Sequence, residues 1–116
     1  MSGTTNIVLE LSRIGRELDE LSRKIEHLDH AAVIAWSEHR KAYATAYVNG
    51  EGSIKDREQA AVLAVEPLRL EAEIADQLTR AAKERIRVLR DRLEIGRSIS
   101  AARRSEFAAE PVGQAT

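Results

Sequence analysis

Three histidines and nineteen carboxylates are the side chains here whose types could bind a metal or move protons. His27 and His30 stand three residues apart and can share a helical face, where Glu26 or Asp29 could add a third ligand. His39 would lie about 18 Å beyond His27 along a helix. An HxxH spacing by itself is a poor metal signal, so no metal site is assigned. The carboxylates form no catalytic pattern and read as a solvated helix surface. The chain has no cysteine, which removes thiolate ligands, thiol nucleophiles and disulfides. No catalytic residue and no cofactor site follow from these residues.

The cations are more informative. From Arg80 to Arg104 nine Lys or Arg meet only Glu84, Asp91 and Glu94, a local balance of +6. The first 79 residues hold nine bases and fourteen acids, and the last twelve add two acids, so the net −1 hides a separation. Such a segment can bind an acidic helix or a phosphate backbone. With Ile86 and Leu93 at heptad position a and Leu89 at d, the residues Lys83, Arg90, Arg97 and Arg104 fall at e. Arg85 and Arg92 fall at g, and Arg80 and Arg87 at b. Positions e and g border a helix seam, where long side chains cover apolar surface and pair across helices.

Within one chain these cations could meet Glu10, Glu17, Asp19, Glu20 and Glu26. Residues 10–29 hold six acids and four bases, too few negative charges to neutralise +6. The surplus is left for a second subunit, an acidic protein or nucleic acid. Arg80, Lys83, Arg87, Arg90, Arg97 and Arg104 are therefore the candidate contacts to phosphates or to an acidic partner surface. Phosphate contacts at such spacings bind with salt dependence and little sequence preference. Trp36 and Tyr43, seven residues apart, share one helix flank, with Tyr47 a turn farther. They either cover the alanine-rich end of the fold or anchor a protein interface.

Two repeats must carry these side chains. Ile7, Leu11, Ile14, Leu18, Leu21, Ile25, Leu28, Ala32, Ala35, His39, Ala42 and Ala46 alternate steps of four and three, a heptad seam. Asn6 or Thr5 can cap its start. A second seam runs through Ala61, Val65, Leu68, Ala72, Ala75, Thr79, Ala82, Ile86, Leu89 and Leu93, extended weakly by Gly96 and Ser100. Between them Asn49 and Gly50 can take positive φ, Gly52 adds a flexible point, and Ser53 with Asp56 forms a weak capping box.

The expected fold is all-α: a long antiparallel helical hairpin or coiled coil of one domain, 1–116, that self-associates as a homo-oligomer. Helix 6–49, turn 50–53, one helix 54–104 kinked at Pro67, and a polar tail 105–116 are its parts. A true break at Pro67 and an open parallel coiled coil are the alternatives. Ile14 should lie opposite Leu89, and Ile25 opposite Leu78. No apolar run approaches the length of a membrane span, and MSGTTN has no basic-then-apolar targeting pattern, so no membrane contact and a cytoplasmic location are expected.

From Arg40 to Glu106 the pieces Glu51-Gly52-Ser53, Arg57-Glu58, Leu89-Arg90-Asp91-Arg92-Leu93-Glu94 and Ser98-Ile99-Ser100-Ala101-Ala102-Arg103-Arg104-Ser105-Glu106 form a recurring pattern. It resembles small helical accessory proteins of actinobacterial phages and prophages. The resemblance implies a role in replication, recombination or host-protein takeover, and carries over no catalytic residue. The expected function is that of a nonenzymatic phage accessory protein contacting nucleic acid through the basic stripe. The alternative is a coiled-coil adaptor or inhibitor of a host or phage protein.

Overall fold

Between residues 3 and 109 the helices are interrupted at two places, the Gly50–Ser53 stretch and the step before Pro67. The computed structural model describes residues 3–109. Helix α1 spans Gly3–Asn49, α2 Ile54–Ala64 and α3 Glu66–Ala109, with no strand among the described residues. None of these helices is long and apolar enough to cross a membrane. The protein is all-α, and packing of α1 against α3 dominates it.

The helix ends correct three expectations. α1 begins at Gly3, so Asn6 and Thr5 lie inside it and do not cap it. Helix α3 continues through Ala109, so residues 105–109 of the expected polar tail are helical. The rest of that tail, 110–116, lies outside the described residues. At the reversal only Gly52 adopts a positive φ, +95°, while Asn49 and Gly50 stay negative.

The reversal is held by local hydrogen bonds. The Gly50 N–H donates to the Tyr47 carbonyl at 3.2 Å. Ser53 caps α2 with a reciprocal pair: its hydroxyl accepts from the Asp56 N–H at 3.1 Å, and the Asp56 carboxylate accepts from the Ser53 N–H at 3.2 Å. A methyl on Gly52 would stand 2.8 Å from that same carboxylate. Gly52→Ala should therefore cost about 1–2 kcal/mol, because the left-handed backbone penalises a Cβ and the clash disturbs the cap. Urea unfolding is the check, and an unchanged midpoint would refute this view of the turn.

Pro67 produces a break where a single kinked helix was expected. Val65, with φ −104° and ψ 6°, ends α2, and α3 starts at Glu66. Proline has no N–H for the carbonyl four residues back and its ring crowds that carbonyl, so the first turn of a new helix is its natural place. Two backbone bonds still bridge the break, Val65 N–H to Ala61 at 3.1 Å and Arg69 N–H to Val65 at 2.9 Å. The seam survives it: Ala61, Val65 and Ala72 are buried and Leu68 half-buried.

The chain clusters into two compact units, Met1–Ser22 with Arg85–Thr116, and Arg23–Glu84. In the first, the terminal unit, α1 and α3 run antiparallel. Gly3 lies beside the Arg103 guanidinium, Leu11 packs on Gly96, and Glu17 bonds Arg85. A Cβ at Gly96 would collide with the Leu11 side chain, so glycine permits this close approach. Ile14 and Leu89 are the buried apolar residues of this unit among those described.

In the second, the turn unit, Asp29 pairs with Lys83 and Trp36 with Asp76, again antiparallel. Its core is small: Ala32, Ala61, Val65, Ala72 and Ala82, with Thr79 donating its hydroxyl to the Ala75 carbonyl at 3.0 Å. Within each unit the order of the contacts is that of a hairpin, not of an open parallel coiled coil. Every residue of both expected seams is buried or half-buried. Leu78, expected opposite Ile25, is 54% exposed, and the seam position beside it belongs to the buried Thr79.

Candidate functional site

The two flanks of the seam differ in charge. Taking Leu11 and Leu18 as a and Ile14 as d in α1, Glu10 and Glu17 fall at g, and Val8, Gly15 and Ser22 at e. In the terminal unit α3 presents Arg85 and Arg92 at g, and Arg90, Arg97 and Arg104 at e. The g flank is supplied with both signs of charge. The e flank has cations from α3 and no carboxylate from α1.

On the g flank the Arg85 guanidinium grips Glu17 with two bonds, Nε to Oε1 at 2.8 Å and Nη2 to Oε2 at 3.1 Å. The Arg85 hydrogen bond holds the Glu17 carboxyl below its usual value, with smaller help from the Arg85 and Arg92 charges and against some desolvation. The same bond raises Arg85. Because the folded value of Glu17 lies below the unfolded one, its contribution is present above the ordinary carboxylate range and is lost as pH falls through the folded value. Glu17→Gln should thus flatten the acid limb of the stability curve below about pH 4. The effect will be small and weakened by salt, since the pair is exposed. Urea midpoints of both proteins across pH test this; parallel acid limbs would contradict it.

On the e flank Arg90, Arg97 and Arg104 form no ion pair and no side-chain hydrogen bond with any described residue. Arg97 and Arg104 border a groove of about 630 Å³ that Ile7, Val8, Leu11 and Phe107 line with apolar surface. Phe107 is 73% exposed and Val8 55%. The sequence places Phe107 in the polar tail. Its spacing of seven after Ser100 and fourteen after Leu93 was the available signal that it lies on the same face of α3, beyond the buried part of the seam.

The other expected contacts are dispersed. Lys83 is paired with Asp29 at 3.5 Å and Arg87 with Asp91 at 3.3 Å. Arg80 is exposed, at position b, with no ion pair to a described residue. In α3 of the turn unit Arg69 bridges Glu66 and Glu73. Those hydrogen bonds raise Arg69, and the one to Glu66 lowers that carboxyl.

Trp36 is tied into its own unit. Its indole Nε1–H donates to Asp76 Oδ2 at 2.9 Å, and its ring meets His39 edge-on with centroids 5.5 Å apart. Tyr43 and Tyr47 are half-buried. His39 occupies the seam, while His27 and His30 are exposed. No group of three or more His, Asp or Glu that could hold a metal occurs among the described residues. No family model matches this chain, and neither a curated protein nor a solved structure matches it.

Proposed function

We propose that this chain is a nonenzymatic binding protein that holds an acidic amphipathic helix of another protein along the e flank of its terminal unit. The observation that carries the reading is the row Arg90, Arg97 and Arg104, which has no counter-charge among the described residues and of which Arg97 and Arg104 border an apolar groove. Seven residues of helix rise about 10.5 Å, so a partner helix with a carboxylate at every seventh position meets the three guanidiniums in step. Ile7, Val8, Leu11 and Phe107 would take its apolar side. The resemblance to phage accessory proteins makes the role that of an adaptor or inhibitor of a host or phage protein.

Nucleic acid was the first expectation from the basic stripe. It loses ground because the surface beside Arg97 and Arg104 is apolar. A phosphate backbone rewards spaced cations and has no use for such a groove.

The test is a titration of the full chain into a labelled synthetic peptide with Leu at a and d and Glu at e and g. Labelled single- and double-stranded DNA are run in parallel over a salt series. Saturable binding of the peptide with weak binding of DNA supports the proposal. DNA binding that falls steeply with salt, together with no peptide binding, would return the stripe to nucleic acid and overturn it.

A further inference from the structure

The opposite, g flank of the terminal unit holds a second groove, of about 460 Å³. Asn6 and Glu10 of α1 and Arg92, Ile95 and Ile99 of α3 surround it. Ile95 is 60% exposed and Ile99 42%. Val88, Arg92, Ile95 and Ile99 repeat the steps of four and three along α3, a short second seam on a helix that already uses its first one against α1. The unit meanwhile buries only Ile14 and Leu89 among its described apolar residues, and leaves Val8, Leu9, Ile95, Ile99 and Phe107 open. A two-helix layer with so thin a core needs a further layer to be stable.

From this we infer that the g flank docks a second copy of this chain about a two-fold axis. The charges on the rim select that occupant. A two-fold interface places each residue against its counterpart site, so that residue i meets j of the other copy and j meets i. Glu10 and Arg92, opposite in sign and on the same groove, then each find the other in the facing chain. The e flank excludes a second copy in the same arrangement, because it would bring Arg90, Arg97 and Arg104 against their own kind. Among the described residues Glu10 is engaged with Arg13 alone, at 3.2 Å, in an exposed pair three residues apart on one helix. Such a pair is weak and is readily exchanged for one across an interface. The product is a four-helix layer that encloses Ile95 and Ile99 from both copies and keeps both e flanks outside.

The experiment is light scattering and sedimentation on the full chain over a concentration series, with helicity followed by circular dichroism. The wild type should have the mass of a dimer. Ile95→Glu with Ile99→Glu should be a helical monomer, since both side chains are exposed in the single chain. Glu10→Arg and Arg92→Glu should each weaken the dimer by about tenfold or more through like charges across the axis. Mixing these two single variants should restore the dimer, because one chain then carries two bases on this rim and the other two acids. A role within one chain cannot be rescued by mixing. A wild type that stays monomeric, a dimer that survives the paired isoleucine changes, or a mixture that fails to recover would each overturn the inference. None of these substitutions touches the e flank, so peptide binding there succeeds or fails separately.

Discussion

Leu89→Ala will destabilise this chain by about 2–5 kcal/mol, the range for emptying a fully enclosed leucine site. Leu89 is 1% exposed and is the largest completely enclosed side chain among the described residues. In the terminal unit Ile14, at 4%, is the other buried apolar residue among those described. A large core can relax around a missing isobutyl group. Two helices have few neighbours to move in, so the hole remains and its lining loses contacts on one side. Leu63→Ala is the matching control: Leu63 is 76% exposed, and its truncation should change stability by less than about 0.5 kcal/mol. Urea unfolding of both variants decides the matter. Equal midpoints for the two would mean that the α1–α3 seam is not what holds the chain together.

The second large effect is on binding. Reversing Arg90, Arg97 and Arg104 together to Glu should remove peptide binding by about a hundredfold or more. Each reversal replaces an attraction with a repulsion, and several such terms of about 1 kcal/mol each multiply in the equilibrium constant. The fold should tolerate the change, because none of the three has an ion pair with a described residue to lose. Reversing Arg85 instead should behave in the opposite way. It breaks the two-bond grip on Glu17 and lowers stability, yet leaves the e flank and its peptide affinity nearly intact. Anisotropy with the acidic heptad peptide, at low and high salt, separates the two variants. If both lose affinity alike, net charge and not the heptad-spaced row governs binding.

Much of the architecture could be read from residue order. Steps of four and three identified both seams down to the individual residue, since a helix with 3.6 residues per turn brings such positions to one face whatever it packs against. The reversal was visible in Gly52, Ser53 and Asp56, because a capping box is made by residues three apart and needs no distant partner. Pro67 announced a disturbance. Whether it bends one helix or separates two depends on how Val65 settles its backbone, and the sequence motif is the same in both cases.

The candidate site was legible as a count of charges and as their places on the e and g flanks, but not as pairings. Local composition showed nine cations against three acids between Arg80 and Arg104, but not which of them were spoken for. That depended on which residues of α1 stand across the seam. Glu17 meets Arg85 and Asp29 meets Lys83, whereas Val8, Gly15 and Ser22 offer no carboxylate to Arg90, Arg97 and Arg104. Periodicity assigns a residue to a flank from its own helix alone. Pairing requires the register of two helices distant in sequence, and that register is set by packing such as Leu11 on Gly96, which only the tertiary structure reveals.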